Sequence, residues 1–136
     1  MAATAAQVAQ LRRMVDEPTT ATYSDATLAA YIEAHFLMDK RGQEAYYFDE
    51  TTAPPTPRVN LSWIPTYDLA AAAVDVWAEK AAILAADFDT NADGASLSRS
   101  QAYTQAMAQA RYWSSRRKAT TITVYPAPRP VEKYTA

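Results

Sequence analysis

Cysteine is absent from the 136 residues, so disulfides, thiolate metal sites and thiol nucleophiles are all excluded, and the fold has to stand on packing alone. Only two glycines, Gly42 and Gly94, and one histidine, His35, are present. That leaves no phosphate-cradling glycine loop and no strand-to-helix nucleophile elbow, both of which need glycines at fixed spacing. The carboxylates fall into no recognisable catalytic pairing, and these shortages together predict a protein that is not an enzyme. Long apolar runs are missing as well. The best one, Leu69 to Ala86, is interrupted by Asp75, Glu79 and Lys80, and the N-terminus lacks a basic, apolar, small-residue leader. The expectation is a soluble, unsecreted protein without a membrane segment.

The chain is 49% hydrophobic, enough for one core but not for two ordinary domains. The formal charge of -2 hides an uneven distribution. Up to Asp93 the chain carries 14 of its 15 acids and 6 of its 13 bases, whereas from Gly94 onward there are 7 bases and only Glu132. A basic last third behind an acidic body points to contact with something anionic, or to head-to-tail contact with another copy of the chain.

Helical periodicity dominates from Tyr67 to Lys118. Leu69, Ala73, Val76, Trp77, Ile83, Leu84 and Phe88 recur at spacings of three and four, and Tyr103, Ala106, Met107, Ala110 and Trp113 repeat the pattern. Two such helices joined by a short loop containing Asp93-Gly94 predict a long central αα-hairpin with an aromatic seam. Ahead of it, Val8, Leu11 and Val15 mark a helix from Thr4 that ends near Asp16, before Pro18. Ser24 is the expected N-cap of a second helix, with Leu28, Tyr31, Ile32 and His35 turned inward. The fold class predicted is all-α, a small four-helix domain over residues 1–118 whose core includes Leu28, Ile32, Trp63, Trp77, Leu84, Tyr103, Met107 and Trp113.

Two stretches break the helical pattern. Between Lys40 and Pro65, Tyr46-Tyr47-Phe48 reads as a short strand and Ala53-Pro54-Pro55-Thr56-Pro57 suits neither a helix nor a sheet interior, so an insertion as a loop or β-hairpin is predicted. Trp63 then returns the chain to the core, with Thr66 as the expected cap of the long helix. After Lys118, Thr120-Thr121-Ile122-Thr123-Val124-Tyr125 is β-branched and alternating, and Pro126, Pro128 and Pro130 keep the remaining residues extended. Residues 119–136 therefore read as an extended C-terminal arm suited to adding a strand to another chain.

Two stretches resemble binding sites. Asp89, Asn91, Asp93 and Gly94 occupy the first, third, fifth and sixth positions of an EF-hand loop, but Ser100 stands where the bidentate Glu is needed. The reading preferred is an Asp-Gly turn without a metal, followed by a capping box of Ser98 and Gln101. Arg111, Tyr112, Trp113, Arg116, Arg117 and Lys118 mix cations with aromatics, a combination that binds phosphates and stacks on bases. Cations are also ordinary at a helix C-terminus.

Leu11-Arg12-Arg13-Met14-Val15, Tyr23-Ser24-Asp25 with Leu28 and Ile32-Glu33, Trp63-Ile64-Pro65-Thr66-Tyr67-Asp68-Leu69-Ala70-Ala71-Ala72, Trp77-Ala78-Glu79-Lys80-Ala81-Ala82 and Ser98-Arg99-Ser100-Gln101 with Ala110-Arg111-Tyr112 resemble the head-tail connector (adaptor, or neck) proteins of tailed bacteriophages and prophages. The resemblance spans roughly residues 8 to 118 and implies a structural virion protein at the head-tail interface, present in host cytoplasm during assembly. It implies a homo-oligomeric ring, twelve copies being expected, which docks on the portal, continues the DNA channel and meets a downstream neck or tail-completion protein. No cofactor is implied. On this reading Ile122, Thr123, Val124, Tyr125, Pro126 and Arg129 form the portal-binding arm, and Arg111, Arg116, Arg117 and Lys118 face the DNA channel or a partner, with non-specific contact to genomic DNA. The alternative is a small nucleic-acid-binding or metal-binding helical domain.

Overall fold

Thr4 begins the first helix, α1 (Ala5–Met14), through a reciprocal cap: its hydroxyl accepts from the Gln7 backbone N–H, and the Gln7 side chain accepts from the Thr4 N–H. The helix stops at Val15, and Asp16 takes a left-handed backbone with φ of 54°, a region that a short polar side chain tolerates better than most. Ser24 caps α2 (Asp25–Glu33) by accepting from Thr27 N–H at 3.1 Å. The computed structural model describes residues 2–86 and 95–118, with the backbone alone for 95–99. Within these, the insertion is a two-stranded antiparallel ribbon of β1 (Tyr46–Asp49) and β2 (Thr56–Val59), followed by α3 (Leu69–Ala86) and α4 (Ala95–Ser114). The architecture is mostly helical, and the ribbon corrects the all-α expectation.

α3 starts at a cap different from the one expected. Asp68, not Thr66, accepts from the Ala71 N–H at 3.2 Å, while the Thr66 hydroxyl donates to the Ile64 carbonyl. The reason is tertiary. Residues 66–68 are held extended against 35–37, with Leu37 N–H donating to Thr66 O and Asp68 N–H donating to His35 O, both at 2.8 Å, so the helix cannot begin earlier. α4 in turn starts at Ala95, which puts Ser98 inside the helix instead of at its cap.

α1, α2 and α3 share one core of Val8, Leu11, Val15, Tyr23, Leu28, Ile32, Ala72, Ala73 and Val76, joined by Trp63 and Tyr67. α4 packs on α3 alone among the described elements. The chain beyond α4 returns to the start of α3, where the Lys118 N–H donates to Asp68 Oδ2 at 2.9 Å, so the two helices run antiparallel, as expected of two helices joined by a short connection. Among the described side chains of α4 the buried ones are Ala106 and Ala110. Small residues there bring the helix axes close, and large side chains beside them move to the rim. Tyr103, expected in the core, is accordingly 37% exposed, and Ile83 is exposed on α3. Leu84 and Met107 are half-buried. Trp77 and Trp113 are half-buried too, both packed against the core. Leu28, Ile32 and Trp63 are buried as expected. Among the described residues no helix is long and apolar enough to cross a membrane.

Candidate interaction surface

The ribbon carries an aromatic face. The register pairs Tyr46 with Val59 and Phe48 with Pro57, so these four side chains lie on one side of the ribbon and Tyr47 and Arg58 on the other. Phe48 is 64% exposed, and Tyr46, Tyr47 and Val59 are exposed with it. Phe36, Met38, Leu61 and Ile64, from the segments flanking the ribbon, are exposed as well, Leu61 at 95%. Phe36 meets Tyr46 edge to face with centroids 5.2 Å apart. Between this face and residues 36–40 runs a groove of about 680 Å³, lined mainly by apolar side chains.

A buried carboxylate fixes the base of the ribbon. The Asp39 side chain is 1% exposed and accepts from the backbone N–H groups of Arg41 and Gln43 at 2.9 Å and Ile64 at 3.0 Å. Burial alone would raise its pKa, but the Ile64, Gln43 and Arg41 N–H groups and the Arg41 guanidinium outweigh it and hold the carboxyl below its ordinary value. Gly42 closes the same turn at φ of 79°, where a side chain would strain the backbone. Trp63 donates its indole N–H to Leu37 O at 2.9 Å, and Arg41 donates to Ser62 O. Asn60 completes the base, its N–H donating to Ala45 O and its side-chain amide to Glu44 O, both at 2.9 Å. At the far end, hydrogen bonds from Thr51 and then from Arg58 lower the Asp49 carboxyl.

The predicted basic group divides. Arg111, Arg116, Arg117 and Lys118 are all exposed at the C-terminal end of α4. Arg116 lies over the Tyr112 ring, 4.4 Å from its centroid, and Tyr112 meets Trp113 edge to face. Lys118 alone is brought to the groove, where it lines one wall. His35 sits just past α2, half-buried, with Nε2 2.5 Å from Asp75 Oδ2 on α3, which places the only histidine in an inter-helix polar pair. Next to it Tyr31 donates to Glu79, and that hydrogen bond, with burial behind it, raises the Tyr31 pKa. The arm residues Ile122, Thr123, Val124, Tyr125, Pro126 and Arg129, and the Asp89, Asn91, Asp93 and Gly94 loop, lie outside the described residues. Among the described residues no three His, Asp or Glu side chains are placed to share a metal ion.

One site was missed from the sequence altogether. Arg12, in the last turn of α1, reaches into the α1–α2 connection. It donates to Glu17 O at 3.2 Å, Thr19 O at 2.7 Å and Tyr23 O at 2.9 Å, and pairs with Asp25 Oδ1 at 2.5 Å. Lys80 performs a similar role from α3, donating to Val15 O at 2.6 Å, pairing with Glu17 at 2.6 Å and lying 4.6 Å from the Trp77 ring centroid. Compared with protein-family models, curated proteins and solved structures, the chain matches none.

Proposed function

We propose that this chain is a structural head-tail connector of a tailed phage or prophage, assembling as a ring that docks on the portal and continues the DNA channel towards the tail. The observation that supports this reading is the concentration of exposed aromatic and aliphatic side chains on the ribbon and its flanks, led by Phe48 and Leu61. Clustered exposed apolar surface marks interaction sites more often than chance. A subunit in a closed ring needs two different faces that complement each other. The ribbon supplies an apolar one. Arg111, Arg116 and Arg117 at the end of α4 then suit the channel or an anionic partner, and Ile122 to Arg129 suit strand addition to a sheet edge of the portal.

The nucleic-acid alternative rests on the same cations. Because Arg116 covers the Tyr112 ring, that cluster offers phosphate contacts rather than a free stacking platform. The deciding experiment is native mass measurement of the full chain, alone and with purified portal. A ring, formed alone or on the portal, is the expected result. A monomer that ignores the portal and binds DNA with a steep salt slope would replace the connector reading with the nucleic-acid one.

A further inference from the structure

We infer that the outer edge of β1 receives an extended segment of a different protein, one that alternates aliphatic side chains and carries carboxylates. Hydrogen-bond parity locates the open groups. The Asn60 N–H donates to Ala45 O at 2.9 Å, and the register carries that pairing on to Tyr47 with Arg58 and Asp49 with Thr56. Bonded and non-bonded pairs alternate along an antiparallel ladder, so Tyr46 and Phe48 turn their N–H and C=O groups away from β2. Among the described residues nothing is hydrogen-bonded to those outward groups.

The two edges of the ribbon are not alike. On β2 the residue paired with Phe48 is Pro57, which has no N–H, so that edge lacks a donor where a third strand would need one. Proline on an edge strand guards against stray pairing, and β1 carries no such guard. Tyr46 and Phe48, whose main-chain groups are open, also line the groove of about 680 Å³. A strand laid on this edge therefore meets main-chain partners and an apolar lining together, the combination by which strand addition gains affinity and specificity.

Charge selects the occupant. Lys40 and Lys118 line the groove, both exposed and neither in an ion pair among the described residues, against one exposed acid, Glu44. Asp39, the other carboxylate there, is already held by three backbone N–H groups and Arg41. A segment bearing carboxylates is thus favoured over a basic one. A second copy of β1 fits poorly. Centred on Tyr47, the arrangement that uses both open residues, it would set Glu44 opposite Glu50 of the other copy, and like charges directly opposite destabilise a strand pair. The inference does not rest on the connector reading, because the edge is open whether or not the chain forms a ring.

The test uses the isotope-labelled full-length chain and a capped peptide of about six residues, a usual strand length, with valine and threonine alternating between terminal aspartates. Amide NMR shifts at Tyr46 and Phe48 should saturate with a Kd of about 1 mM or tighter. Two further peptides carry N-methyl groups, one on the valine amides and one on the threonine amides. Only one alternating set can face β1, so one of the two should lose at least about tenfold in affinity while the other binds nearly as the parent does. On the protein side, Phe48→Pro removes an edge donor without removing a ribbon hydrogen bond and should weaken binding more than Phe48→Ala, which keeps that donor. Equal losses from both methylated peptides, or no saturating shift at all, would overturn strand addition. Equal affinity for a peptide ended by lysines instead of aspartates would overturn the acidic partner. In the chain alone, Tyr46 and Phe48 amides should exchange with solvent faster than those of Tyr47 and Asp49. Slow exchange at every protein concentration would overturn the proposal by showing the edge already covered, and slowing with concentration would overturn it in favour of a second copy.

Discussion

Replacing Arg12 tests whether one side chain organises the α1–α2 connection. Its side chain is 12% exposed, and its guanidinium serves three main-chain carbonyls, those of Glu17, Thr19 and Tyr23, together with the Asp25 carboxylate. A hydrogen bond from a charged donor stabilises by about 1.5 kcal/mol or more, although loop carbonyls released from the guanidinium can turn towards water and recover part of that. The three carbonyl contacts together are therefore set at about 3 kcal/mol. The Asp25 pair adds at most about 0.5 kcal/mol, because that carboxylate is 71% exposed and screened. Arg12→Ala should lose about 3 to 4 kcal/mol, a large share of a small domain's stability. Arg12→Lys should lose about 2 kcal/mol, since one ammonium cannot span acceptors arranged for a planar fork.

The assay is urea denaturation at neutral pH, where a lower midpoint at constant slope reports stability alone. Arg13→Ala is the internal control: Arg13 is the exposed neighbour on the same helix, and its loss should stay within about 0.5 kcal/mol. If Arg12→Ala and Arg13→Ala unfold at the same urea concentration, the loop carbonyls do not depend on the guanidinium and the assignment fails.

Trp77→Ala and Trp113→Ala should each lower stability by about 2 to 4 kcal/mol, less than a fully buried tryptophan because both are half-buried. Trp77 should cost more, since its indole N–H also donates to Met14 O, and denaturation curves showing near-native stability for both would refute the packing described. For Asp39 the folded pKa lies below the unfolded one, so its stabilisation is complete above the ordinary aspartate value near pH 4 and fades as the pH falls through the folded value. Asp39→Asn should accordingly flatten the acid limb of a stability–pH curve, and an unchanged limb would show that the carboxylate charge is not used. If Asp89, Asn91 and Asp93 only form a turn, millimolar calcium should leave the melting temperature where it was; a rise that Asp93→Ala abolishes would establish an ion site.

Much of the architecture was legible because it is encoded locally. Pro18 and Ser24 bound the first two helices, the one by disfavouring α geometry just before it and the other through its hydroxyl, and Tyr46-Tyr47-Phe48 followed by three prolines marks an insertion among helices that could be a loop or a β-hairpin. The features that escaped depend on distant partners. Thr66 and Asp68 are both good caps, and only pairing with residues 35–37 decides between them. Tyr103 and Ile83 fit a helical stripe, yet the close approach permitted by Ala106 and Ala110 leaves them at the rim. Arg12 and Asp39 gave no signal because most of their partners are main-chain groups, which every sequence supplies. His35 and Asp75 stand 40 residues apart, and nothing in their neighbours foretells the pair.

The way the ribbon is held bears directly on its capacity to bind. A two-stranded ribbon is marginal by itself, and Pro57 in β2 leaves that strand's outer edge short of a donor. Here its position is set from the base by polar contacts, namely the Asp39 carboxylate on three backbone N–H groups, Asn60 on Ala45 and Glu44, and Trp63 on Leu37. Of the β1 aromatics only Tyr46 packs back on the body, against Phe36, and Tyr47 and Phe48 are not consumed in holding β1. A ribbon anchored through its own large residues would present a polar tip; this one presents Tyr46, Tyr47 and Phe48 outward on a fixed base. Preorganisation of that kind lowers the ordering cost of association. It follows that Phe48→Ala should leave the unfolding midpoint of the monomer nearly unchanged while weakening whatever association the ribbon mediates. If Phe48→Ala unfolds the monomer instead, the ribbon's aromatic face belongs to the core and the interaction surface lies elsewhere.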